Sequence, residues 1–419
     1  MNDSESTACL PPTWVTVVAL SLLLGLQPIT TDLYLPTLPQ MQRELGASPS
    51  SVQFTLSMLL LAFGIGQLVW GPVADRVGRR PVLRWGLSLF VVASALTCLA
   101  ETLPMMVAAR AAQGACLAAA VVCGRAMIRD LYAPIDGARM MAKGMGGLGL
   151  IALAGPIIGA LAATHLGWRS ALGIVGVFGG LTLVFVVWRL PETLPLARRT
   201  QPAPPMQLLR DWQNIARHPT FRAHALLTSA TYGGLYVCLA ASSFVVIDLL
   251  GHSRLVYGLV MASLSLSYLL GVTWCRRLLN RRGLIGSIRV AGHLTLAAGI
   301  WMAGVSVVTA LTTLTPTLSW LMPGLGLYAC GHGIHQPCGQ TGVVSAFPFH
   351  AGAASALSGF VLATLAFVVG GVLSACMKLP MFEGTIYPMT LGIAVGAACT
   401  AWVALGLVQR DGLIPVAVA

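Results

Sequence analysis

A chain of 419 residues that is 56% hydrophobic and 9% charged, with a mean hydropathy of +0.81, is not a soluble globular domain. Its net charge of +12 would suit a nucleic-acid binder, but the basic residues collect in loops on one side of the apolar segments, which excludes that partner. The apolar runs are long and unalternated, so the chain crosses a membrane as helices, each needing about 20 residues to span about 30 Å of hydrocarbon.

The first run follows MNDSESTACLPP, which has no Lys or Arg, and ends in YLPTLP without a small-residue cleavage site. It is expected to be a retained helix and not a signal peptide. Twelve spans are expected, over roughly 13–36, 51–73, 82–100, 103–126, 141–163, 168–189, 222–249, 255–276, 285–308, 315–340, 351–376 and 384–408. With the N-terminus in the cytoplasm, twenty of the 25 Lys and Arg fall on the cytoplasmic side. Four lie outside, Arg43, Arg169, Arg254 and Lys378, and Arg110 lies within a helix. The positive-inside rule then puts both termini in the cytoplasm.

The long polar stretch LPETLPLARRTQPAPPMQLLRDWQNIARHP divides the chain into an N-terminal six-helix bundle (1–189), a linker (190–221) and a C-terminal six-helix bundle (222–419). Each half has its densest Arg cluster after its second span, GPVADRVGRRP and CRRLLNRRG, a weak internal echo. Two related bundles suit a secondary transporter that rocks about a central site; a twelve-helix channel or receptor is the alternative.

Asp32, in TTDLYLPTLP, follows about eighteen uncharged residues with no neutraliser nearby in sequence. Pro36 and Pro39 are expected to mark the outer end of that helix, which puts Asp32 inside the membrane. Arg110 lies seven residues into the fourth span, at a similar depth of about 10 Å, so the two are expected to pair. Snorkelling of Arg110 to the outer surface is the competing expectation.

In GPVADRVGRRP, Gly71 is expected to allow close backbone approach, Gly78 a short turn, and Pro81 the first turn of the third helix. Asp75 can face a helix N-terminus while Arg76, Arg79 and Arg80 hold the surface; a plain basic loop accounts for the same residues. In the fifth span Gly144, Gly146 and Gly149 spell GxGxxG, but no strand precedes them, so no nucleotide site is expected. Gly155, Pro156 and Gly159 allow close packing and a kink.

GPVADRVGRRP resembles the signature loop of the major facilitator superfamily. That resemblance implies a cytoplasmic latch through Asp75 and Arg79, with Asp75 facing the start of the eleventh helix. Arg129 and Asp130 of RAMIRDLY and Glu192 of PET look like its network partners. Gly155, Pro156 and Gly159 resemble the superfamily's antiporter motif, GPxxG, and AARAAQGA resembles its fourth-helix motif, whose arginine, here Arg110, is implicated in proton coupling. With TTDLYLPTLPQM and HAGAASALSG, the whole chain is similar to the Bcr/CflA group of drug:proton antiporters. CGHGIHQPCG departs from that group by its two histidines.

The expectation is therefore an all-α membrane protein with twelve transmembrane helices in two pseudo-symmetric bundles, the major facilitator fold. It would export small amphiphilic drugs and antibiotics from a bacterial inner membrane against protons, with Asp32 titrating and Arg110 as its coupling partner. Tyr34, Gln113, Tyr232, Tyr236, His335 and Phe360 are candidate pocket residues, packing being an equal account of the aromatic ones. His332 and His335 share a helical face and either could titrate or be structural. Asp248 is expected to be exposed at the outer end of the seventh span.

The ten cysteines, Cys9 among them, are scattered without a CxxC pair and read as packing residues, so no metal site is expected. No cofactor, no nucleic acid and a monomer are expected, with protons, drugs and lipid as partners. No HExxH, GxSxG or Walker loop suggests an enzyme. A metabolite exporter or an uncoupled channel are the alternatives.

Overall fold

The computed structural model describes residues 11–413 except 133, 197, 198, 200–204, 313, 348 and 349; Cys9, Arg198 and part of the expected linker lie outside the described residues. The first half runs through α1 (Thr13–Asp32), α2 (Leu38–Glu44), α3 (Pro49–Val77), α4 (Arg79–Cys98), α5 (Leu103–Leu131), α6 (Pro134–His165) and α7 (Trp168–Arg189). After α8 (Pro205–Arg217), the second runs through α9 (Pro219–Ser243), α10 (Arg254–Leu311), α11 (Leu318–Ser345), α12 (Ala351–Cys376), α13 (Tyr387–Trp402) and α14 (Val408–Asp411). No strand occurs among the described residues.

Helix starts follow local chemistry. Ser48, Thr102 and Ser253 each cap a helix by accepting the backbone N–H three residues on, and prolines occupy the first turns of α3, α5 and α9, where their missing N–H costs nothing. The eighth and ninth spans form one helical run, α10, broken only at Gly283, whose φ of 66° and ψ of −173° redirect the chain.

The expected outer end of the first span is overturned. Neither Pro36 nor Pro39 stops the helix: a 3-10 turn, Leu35–Thr37, carries the chain into α2, and each proline sits in the first turn of its own element. Helical structure thus continues twelve residues past Asp32, to Glu44, so Pro36 and Pro39 do not mark the end of the helical run.

Within the first half, α3 packs on α5, α4 on α5 and α7, and α1 on α6; in the second, α9 packs on α11, α12 and α13, and α10 on α11 and α13. The halves meet along two seams, α3 against α12 and α6 against α10. The strongly amphipathic α8, which the apolar pattern does not announce, docks Trp212 and Ile215 on Phe221, Ala354 and Leu357 of the second half.

Candidate functional site

Arg110 on α5 is completely buried and does not snorkel. Both terminal nitrogens donate to the Thr30 carbonyl, at 3.4 and 3.3 Å, and Nη1 also donates to Gln113 Oε1 at 2.7 Å. Its guanidinium lies 4.1 Å from the Tyr34 ring centroid. Gln113 is held in turn by donating to Ser94 Oγ, 2.8 Å away.

Arg110 and Asp32 form no ion pair in this structure. Arg110 does reach α1 beside Asp32, gripping a carbonyl only two residues away. The azimuth differs, since two residues turn a helix by about 200°, to its other side. Asp32 Oδ1 accepts a hydrogen bond from Thr31 Oγ1 at 2.8 Å. The half-buried carboxylate side faces α6, where a Cβ placed on Gly155 would lie 3.9 Å from that of Asp32. Tyr232 and Tyr257 of the other half are within its electrostatic reach.

The GPxxG segment of α6 lies at this crossing. A Cβ at Gly159 would collide with the Leu33 backbone of α1, its Cα at 2.8 Å, so only glycine lets the helices meet there. On the other seam, Ser265 of α10 donates to the Ala152 carbonyl of α6 at 3.2 Å.

A second cluster occupies the Arg-rich end. Arg79, 3% exposed, donates from Nη1 to Asp75 at 2.6 Å and from Nε to Asp130 at 2.8 Å. Glu192 accepts the N-terminal N–H groups of α4 from Arg79 at 2.9 Å and Arg80 at 3.2 Å, placing a carboxylate on the positive end of the helix. Gly78, with φ of 109°, admits this because any Cβ would meet the Glu192 carboxylate. Arg80 reaches the Val187 carbonyl at 2.8 Å, and Arg76 is exposed with no ion pair among the described residues.

Three expectations for this loop change. Arg79, expected at the surface with Arg76 and Arg80, is buried between two carboxylates. Gly71 makes no close approach, since a Cβ there would have nothing within 4 Å. Asp75 makes no hydrogen bond to the start of α12; Arg125 donates to Ser355 Oγ there at 3.4 Å, and the Arg129 guanidinium lies against Gly352. The cross-half contact thus belongs to α5, one turn apart at two arginines, while the Asp75–Arg79–Asp130–Glu192 network joins the first half to the start of the linker.

The candidate pocket residues separate by exposure. Tyr34, Gln113, Tyr236 and His335 are completely buried: Tyr34 hydroxyl meets Thr55, Tyr236 hydroxyl meets Ser57 across the halves at 2.6 Å, and His335 Nε2 meets Thr295 at 3.2 Å. These four support the interior from behind and line no open space. Phe360 packs with the α8 cluster. Tyr232 remains half-exposed inside the bundle. His332 and His335 have different neighbours, His332 Nδ1 lying 3.1 Å from Thr231 Oγ1 on α9.

Elsewhere, Asp248 is exposed, as expected, and pairs with Arg43 of the other half at 3.0 Å. The Gly144, Gly146 and Gly149 pattern is continuous helix. The nine described cysteines are free; Cys275 and Cys338 touch, with sulfurs 3.4 Å apart. Sequence reasoning missed Thr30, Ser94 and Thr55, which fix the Arg110 cluster; hydroxyls and carbonyls in apolar helices carry no pattern that would single them out.

The Major Facilitator Superfamily model matches residues 20–371. The chloramphenicol resistance protein of Pseudomonas aeruginosa is 27% identical over 394 residues, 92% of this chain and 90% of that one. Multidrug resistance protein D of Escherichia coli (strain K12) is 27% identical over 347 residues, 82% of this chain and 84% of that one. Among solved structures, the human organic anion transporter MFSD10 superposes with a TM-score of 0.70 at 19% identity, over 95% of this chain and 100% of that one, a likeness of fold alone. The sequence match takes in the Arg79 network, the Arg110 cluster and the GPxxG crossing together, and the chain belongs to the Major Facilitator Superfamily, with resistance transporters of the Bcr/CflA type as its relatives.

Proposed function

We propose that this protein exports small amphiphilic drugs, antibiotics among them, across a bacterial inner membrane in exchange for protons. The observation that carries the reading is Asp32, a half-buried carboxylate at the end of α1 that faces the GPxxG segment of α6 and has no basic partner within ion-pair distance. A carboxylate in such a site is the natural carrier of an exchanged proton. The names of the relatives, which are resistance transporters, support the cargo.

In this proposal the two halves, 1–189 and 222–419, rock about the α3–α12 and α6–α10 seams as a monomer, with both termini in the cytoplasm. Protonation of Asp32 from outside releases drug, and loss of that proton to the cytoplasm restores the binding form. Arg110 acts through α1: it holds the Thr30 carbonyl behind Asp32 and sets the orientation of that turn. Engagement of Arg110 by Asp32 directly belongs to another state of the cycle. The Asp75, Arg79, Asp130 and Glu192 network, with Gly71, Arg76, Gly78, Arg80 and Arg129 around it, biases which end is closed. A gradient of one pH unit supplies about 1.4 kcal/mol per proton and 100 mV about 2.3 kcal/mol per charge moved, enough for about tenfold or greater drug accumulation per proton.

The test is drug-stimulated proton movement in proteoliposomes, wild type against Asp32→Asn. The variant is expected to bind drug and to lose proton movement. Intact coupling in Asp32→Asn would sink the assignment, and an uncoupled drug flux in wild type would point to a channel.

A further inference from the structure

We propose that Tyr232 and Tyr268, braced by the buried ring of His332, form an aromatic wall that recognises a planar aromatic ring system in the cargo and sets the selectivity of the transporter. The inference rests on the drug-export reading and goes beyond it by naming the cargo's ring as the feature recognised and the residues that recognise it.

The three rings come from three helices of the second half. His332 on α11 stands between the tyrosines, its ring centroid 6.2 Å from that of Tyr232 on α9 and 5.7 Å from that of Tyr268 on α10, at interplanar angles of 46° and 40°. These are separations at which tilted aromatic pairs attract. The register depends on close packing of α10 on α11: a Cβ at Gly333, next to His332, would collide with the Tyr268 carbonyl. Thr231 fixes the histidine ring from behind by its contact with Nδ1.

What marks the wall as a binding surface is the contrast with the protein's other interior tyrosines. Tyr34, Tyr236, Tyr257 and Tyr328 are each at most 3% exposed, and each hydroxyl has a partner: Thr55, Ser57, Ser242 and the Thr231 carbonyl respectively. Tyr232 and Tyr268 are partly exposed although both rings pack on His332 where three helices meet, and among the described residues neither hydroxyl has a hydrogen-bond partner. An accessible hydroxyl that the protein itself leaves unpartnered is available to a ligand. The surface offers π faces and two free hydroxyls, and Asp32 lies within electrostatic reach of Tyr232. A flat ring system with polar edge atoms satisfies all of these; a compact aliphatic cation can lie against one ring face but neither stacks on it nor bonds the hydroxyls.

The test compares binding of ethidium, a planar aromatic cation, with tetrapropylammonium, a cation without a ring, to purified protein. The variants are Tyr268→Leu, His332→Leu and the ring-preserving Tyr268→Phe and His332→Phe, each checked for a wild-type thermal transition. The leucine variants are expected to weaken ethidium about tenfold while leaving tetrapropylammonium within about twofold, and the phenylalanine variants to retain most ethidium affinity. Equal loss of both cations, or unchanged ethidium affinity in the leucine variants, overturns the aromatic wall and leaves the export reading standing. Should the leucine variants lose their fold, the phenylalanine variants decide: retained preference for ethidium supports the wall, and an equal loss of both cations overturns it. Failure of wild type to bind either cation overturns the drug-export reading and this inference with it.

Discussion

Two arginines are buried in the first half, and their surroundings differ. Arg79 is held between the carboxylates of Asp75 and Asp130, its charge neutralised and its geometry fixed. Arg110 is equally enclosed but is met only by a carbonyl, an amide and an aromatic face. Burying an arginine is costly unless its charge is compensated. The Arg79 site has that compensation and reads as structure that is made or broken as a unit. The Arg110 site lacks a carboxylate, and the cycle proposed above assigns it an anionic partner at another stage.

That contrast predicts opposite outcomes for the same substitution. Arg79→Met strands two carboxylates, one of them nearly buried, and is expected to lower stability by about 3 kcal/mol or more, read as a fall in the thermal transition of the purified protein. Gly78→Ala is expected to cost about 1–3 kcal/mol, because the backbone there has φ of 109° and the added methyl meets Glu192. Asp75→Asn removes a partner whose side chain is 42% exposed, so its cost is under about 1 kcal/mol; drug binding should persist while turnover slows. Loss of binding in Asp75→Asn would argue against a latch.

A similarly small stability effect is expected for Arg110→Met. It orphans no carboxylate, and relief of an uncompensated buried charge offsets the lost bond to the buried Gln113 amide, so the thermal transition should move by less than about 1 kcal/mol equivalent while exchange of drug for protons is lost. If Arg110→Met destabilises as strongly as Arg79→Met, the two sites are not different in kind. If it leaves coupled transport intact, the proposed positioning of α1 by Arg110 is wrong.

Much of the site is legible in the sequence at the level of elements. The latch loop shows because charge is rare in this chain, and the Arg79, Asp130 and Glu192 side chains do converge. The GPxxG glycine at Gly159 shows because small residues in an apolar helix mark close packing. The Asp32–Arg110 relation is half legible: counting residues gives depth, at about 1.5 Å each, and Arg110 does contact α1 beside Asp32. Azimuth advances about 100° per residue, so a two-residue difference that hardly alters depth reverses the face. Gly71 misleads because a glycine in a signature loop does not reveal whether anything lies opposite it. Tyr34, Gln113 and His335 suggest a pocket because polar side chains in membrane helices often line one, and the structure instead gives each a protein partner.

The sequence alone determined that this chain spans a membrane in twelve helices and belongs with the transporters, because hydrophobic length and the rarity of charge act locally and can be counted along the chain. The direction each polar side chain faces was decided by tertiary packing. The continuation of the helix past Pro36 and Pro39, the grip of Arg110 on Thr30, and the two tyrosine rings gathered around His332 all depend on neighbours far away in sequence. A one-dimensional pattern carries depth and periodicity; it does not carry which helix stands opposite.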